Sequence, residues 1–142
     1  MKPSLQSTIF AGIAGTIAMT IIMLLAPMMG LPRMNAAEML SSMMGFPVAL
    51  GWIAHFMIGI LFALSYGYFF FGLARTRNRV IEGASFGVAV FVFAQIMMAL
   101  MRVMRGGMPQ PEGGMALMML GSLVGHIMYG IPVALIAKPN NT

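Results

Sequence analysis

The sequence predicts an all-α protein: an integral membrane four-helix bundle, two similar helical hairpins related by a pseudo-twofold axis along the membrane normal. Three observations predict it. Of 142 residues, 60 % are hydrophobic and 8 % charged, with mean hydropathy +0.92, far outside soluble usage. Four stretches reach the roughly 20 mostly apolar residues that a bilayer core requires. Finally, "AHFMIGILFAL" (Ala54–Leu64) returns as "GHIMYGIPVAL" (Gly125–Leu135) with six of eleven positions identical, so the only two histidines, His55 and His126, stand 71 residues apart, half the chain.

The first span is placed at Thr8–Met29. It is too long for a signal-peptide core and lacks a small-residue cleavage site, so it reads as a retained helix, with Pro27 bending its end. The loop Gly30–Pro47 holds Asn35 three residues before Glu38, a capping signal for a short interfacial helix with Met39, Leu40, Met43 and Met44 on its apolar side. The second span, Ala49–Phe71, carries Gly51, His55, Gly59, Ala63 and Gly67 four residues apart, a nearly bare face with the imidazole on it.

After the basic "ARTRNR" loop comes the third span, Val80–Met104, whose Glu82 suits a helix N-terminus and whose Met97, Met101 and Met104, with Met108 beyond, follow one face. "RGGMPQPEGG" (Arg105–Gly114) is a tight connector. The fourth span, Met115–Ala137, repeats the small-residue face with Ser122, His126, Gly130 and Ala134, widened by Gly121 and Gly125; Pro132 lies within it and Pro139 stops it.

These spans leave one domain, residues 1–142, with repeats 1–71 and 72–142. Two helices per half give both halves the same orientation. Outside the histidine segment, Gly12/Gly83, Ala18/Ala89 and Met44/Met115 also agree at this offset.

The net charge of +5 follows topology, since the cations sit at span ends. Lys2, Arg75, Arg77, Arg79 and Lys138 flank one face and Arg33, Arg102 and Arg105 the other, which predicts both termini in the cytoplasm. Nucleic acid is not an expected partner; the lipid bilayer is. Arg102 and Arg105 either pair with Glu38 or Glu112, bind a lipid headgroup, or snorkel. The chain has no cysteine and no aspartate, its three glutamates are far apart, and it has no phosphate loop, so a non-enzymatic protein is expected.

An imidazole inside a membrane calls for a partner. Neighbouring helices about 10 Å apart put the second and fourth spans on a diagonal, which suits two imidazoles with a metal between them. Haem b with His55 and His126 as axial ligands is the most specific candidate, Gly51, Gly59, Gly125 and Gly130 leaving room for the macrocycle. The alternative is packing, each ring bonding a neighbour such as Ser85, Thr20 or Gln95, with no cofactor. A third possibility starts from the 19 methionines. Thioethers select Cu(I); Met19 and Met23 are a turn apart, and Met34, Met39, Met43, Met44, Met108 and Met115 gather near one face. A soft-metal transporter or carrier then uses His55, His126, Met39, Met43 and Met44. The remaining alternative is a structural subunit of a homo-oligomer or larger membrane complex, packing through Gly83 and Gly87 or through the small-residue stripes.

The segments "GWIAHF", "FAQIMMALM", "GSLVGHIMYG" and "MMGLPRMNAAEML" resemble a family of small four-helix bacterial membrane proteins known as a domain of unknown function. The resemblance spans nearly the whole chain. It implies four helices in a bacterial cytoplasmic (inner) membrane and supplies no activity or site residues.

Overall fold

A computed structural model of the chain describes residues 3–70, 78–104 and 114–137. Helix α1 runs over Leu5–Leu25 and passes into a 3-10 turn at Ala26–Met29. Ser4 caps α1 by accepting from Ser7 N, which starts the helix three residues before Thr8. Pro27, at the head of the turn, lacks the N–H an α-helix needs, and Gly30 closes the turn with φ 78°. Helix α2 is Ala36–Met44: Asn35 Oδ1 accepts from Ala37 N and Glu38 N, and Gly45 ends the helix with φ 74°.

Helix α3, Val48–Ser65, continues as a π-helical turn at Tyr66–Phe70. Helices α4 (Arg79–Met104) and α5 (Met115–Ile136) complete the set. With their extensions, α1, α3, α4 and α5 are each long and apolar enough to cross a membrane, so the protein is a multi-pass membrane protein. The expected spans agree with them within a few residues. The connector Arg105–Gly114 lies outside the described residues except for Gly114.

Around the bundle the order is α3, α1, α5, α4, with α2 lying on α3. Helices α3 and α5 are therefore diagonal, as the sequence predicts. The two hairpins cross alike. A methyl group added at Gly12 of α1 would lie 2.7 Å from Ile60 Cα and 3.1 Å from Ala63 Cβ; one added at Gly83 of α4 would lie 2.6 Å from Ile131 Cα and 3.0 Å from Ala134 Cβ. Each residue in the second set follows its counterpart by 71 positions. Only glycine admits such close approach of two backbones.

Besides the diagonal bond that the Tyr129 hydroxyl donates to the Gly59 carbonyl, the hairpins meet along two seams that are not alike. Helices α1 and α5 pack closely, Gly15 lying against the Tyr129 carbonyl, whereas the backbones of α3 and α4 stay apart. Rings fill that seam: Phe62 and Phe93 meet at 5.5 Å between centroids, and Tyr66 and Phe86 at 5.0 Å. The Tyr66 hydroxyl donates to Glu82 Oε1 at 2.7 Å, and Arg79 lies 3.5 Å from Oε2. Glu82, expected only to suit its helix terminus, is thus buried and paired.

Polar side chains on α1 bond within the helix: Thr8 donates to Ser4 O (2.7 Å), Thr16 to Gly12 O (2.8 Å) and Thr20 to Thr16 O (2.8 Å). Each fills its hydrogen-bonding need four residues back.

The packed side of α2 differs from the expected methionine face. Ala37, Ser41 and Met43 are buried, while Met39 and Met44 are exposed. The reason is Gly51 on α3, which lets the Ala37 carbonyl come so close that only small residues fit between the helices. Ser41 donates to Phe46 O, so its burial leaves no hydroxyl unpaired.

Candidate paired-histidine site

Helix α1 sets the depth of both histidines. Its Thr20 meets His55, with 3.3 Å between Oγ1 and Nε2, and its Met19 and Met23 side chains lie against Gly125, next to His126. The two imidazoles thus flank the same Met19–Met23 stretch of α1.

His55 is buried and edged by Trp52 and Phe56, at 6.2 and 6.0 Å between ring centroids. Thr20 spends its one hydroxyl hydrogen on Thr16 O. Its oxygen therefore accepts from His55 Nε2–H, which assigns the lone pair to Nδ1. His126 is partly buried, with Nδ1 2.7 Å from Ser122 O and its ring 5.9 Å from Phe91. A carbonyl only accepts, so Nδ1 carries the hydrogen and Nε2 keeps the lone pair. Of the expected packing partners, Thr20 is realised at His55, and Ser122, one turn back on the same helix, serves His126.

Beside His55 lies a cavity of about 10 Å³, lined by Thr20, Met23, Leu24, Met34, Asn35, Ala36, Trp52 and His55. That is room for one water-sized particle. The proposed cradle glycines are filled from neighbouring helices: Gly51 by Ala37 O, Gly59 by Thr16 Oγ1, Gly130 by Gly83 O. Gly125 keeps ordinary contact, its added methyl being 3.5 Å from Met19 and Met23 atoms. In this packing the residues around the histidines do not fit a flat macrocycle.

The methionines divide differently from the sequence expectation. His126, Met39, Met43 and Met44 do not line the cavity. The thioether side chains beside His55 are Met23 and Met34, both buried, with Met34 filling the space above Gly121. Sequence spacing could not bring Met34 there, because it lies on neither span; only the turn at Pro27 and Gly30 folds it back over α5. Among the described residues no three His, Asp or Glu side chains gather as a metal site. Gly83 and Gly87, expected on an oligomer face, pack inside against α5. Arg102 pairs with neither Glu38 nor any other described acid, and its Nε is buried without a hydrogen-bond partner.

The model of a family of unknown function, DUF6789, matches residues 3–139. No curated protein and no solved structure matches the chain.

Proposed function

Since this chain belongs to the DUF6789 family, whose function is unknown, we propose from its geometry that it is a non-enzymatic membrane binding protein. Its ligand is small and sits between helices at the paired histidines. One observation carries this reading: each imidazole anchors one ring nitrogen and keeps the lone pair of the other. Metal-binding histidines are held in this way, the second nitrogen donating to an oxygen that fixes ring and tautomer. The water-sized cavity favours an ion over haem b.

The orientation we propose puts both termini and Arg79 in the cytoplasm and α2 on the outer side of a bacterial cytoplasmic membrane, from the excess of cations at the Arg79 end.

Purified protein from haem-replete, metal-supplemented cells, examined by elemental analysis and absorption spectroscopy, tests the reading. The wild type retains a metal ion that His55→Ala loses and His126→Ala, a change just outside the cavity, holds more weakly, both variants remaining folded. Protein free of any ligand, or variants that keep it, would sink the proposal. A Soret band lost in either variant would restore haem as the ligand.

A further inference from the structure

Resting on the paired-histidine reading, we infer that the cavity beside His55 is a Cu(I) site whose ligands are His55 and the thioethers of Met23 and Met34. The three residues come from α3, α1 and the segment before α2, and they line one space the size of a single ion or water. Two thioethers and an imidazole form a soft donor set, the kind that selects Cu(I) over hard cations. Trp52 lines the same cavity, and an indole ring attracts a nearby cation.

Charge decides between candidate ions. No Asp or Glu lines the cavity, so the full charge of the ion is carried by neutral ligands. Solvation cost rises with the square of the charge, so a divalent ion loses about four times what a monovalent one loses on leaving water. A neutral site inside a membrane thus admits Cu(I) and rejects Zn(II).

Space for the thioethers comes from α5. Met34 lies over Gly121, and Met19 and Met23 over Gly125, so the two glycines that widen this helix face receive methionine side chains rather than another backbone. Met19 continues the row from the cavity toward His126. The second hairpin has no matching site, because the positions 71 after Met23 and Met34 are Ala94 and Arg105. One ion per chain follows.

Anaerobic competition for Cu(I) between the full-length protein in detergent and a coloured Cu(I) chelator tests the assignment. Wild type binds one equivalent and leaves Zn(II) in solution. Met23→Leu/Met34→Leu, a pair of near-isosteric changes, loses more than the 10- to 100-fold that outer-shell changes typically cost, and Met39→Leu/Met44→Leu binds as wild type does. X-ray absorption at the copper edge reports sulfur beside nitrogen. Unchanged affinity in the Met23/Met34 variant, equally tight Zn(II), or a shell without sulfur overturns the assignment. Should the protein bind no Cu(I) yet lose another ligand on His55→Ala, the thioether assignment fails and the paired-histidine reading stands. Should no variant lose any ligand, both fail. Circular dichroism and gel filtration of each variant separate lost binding from lost fold.

Discussion

His126 meets Phe91 edge-on, with 5.9 Å between ring centroids, and Phe91 stands 71 residues after Thr20, the partner of His55. The same place in the two hairpins thus holds a hydroxyl beside one imidazole and a phenyl ring beside the other. His55 is anchored from another helix, whereas His126 is anchored within its own. Thr20→Val therefore frees His55 Nε2 without touching His126. Nitrogen NMR of ring-labelled protein is expected to show His55 leaving its Nε2–H form while the His126 signals stay in place; an unmoved His55 would rule out the anchor.

Close backbone approach makes a sharp distinction among glycines. A methyl at Gly130 runs into Gly83 O and one at Gly87 into His126 O, and backbone cannot swing aside. Gly130→Ala and Gly87→Ala are each expected to cost about 1–3 kcal/mol. Gly125→Ala meets only flexible methionine atoms at 3.5 Å and beyond, and should cost well under about 1 kcal/mol. Reversible unfolding in mixed detergents ranks the three. Equal losses would contradict the packing described.

The Tyr66–Glu82 bond crosses the seam where backbones do not pack. Tyr66→Phe leaves a buried carboxylate oxygen without its phenol donor, a loss of about 1–3 kcal/mol. A double-mutant cycle with Glu82→Gln should return a coupling of about 0.5–3 kcal/mol. Additive effects of the two changes would show that the bond contributes nothing to stability.

Orientation is open to a clean chemical test, since the chain contains no cysteine. In intact cells, Ser42→Cys on the exposed side of α2 should react with a membrane-impermeant maleimide and Ser4→Cys should react only after lysis. The reverse pattern inverts the proposed topology.

Much of this fold could be read from local chemistry. Four spans follow from apolar length, α2 from Asn35, and the diagonal placement of the histidine helices from chain order. The shared offset of 71 showed which glycines mark corresponding crossings, and Gly12 and Gly83 pack as counterparts. What could not be read was which element each glycine receives. A bare helix face looks the same in sequence whether it admits a cofactor, a methionine or another backbone; Gly51, Gly121 and Gly130 meet Ala37, Met34 and Gly83 respectively. The exposed Met39 and Met44 show the same limit, because periodicity gives the apolar side of a helix but not the small-residue contact that overrides it.

The threonines of α1 bear on how the protein enters its membrane. Of the four spans this helix is synthesised before the others, yet its close neighbour α5 is the last of them to emerge. Between those moments Thr8, Thr16 and Thr20 need no partner from the missing helices, because each donates to a carbonyl of its own chain. In hydrocarbon, unsatisfied polar groups cost several kcal/mol each. A nascent α1 can therefore wait in the lipid at little cost, its hydroxyls already satisfied, until the rest of the bundle arrives from the ribosome.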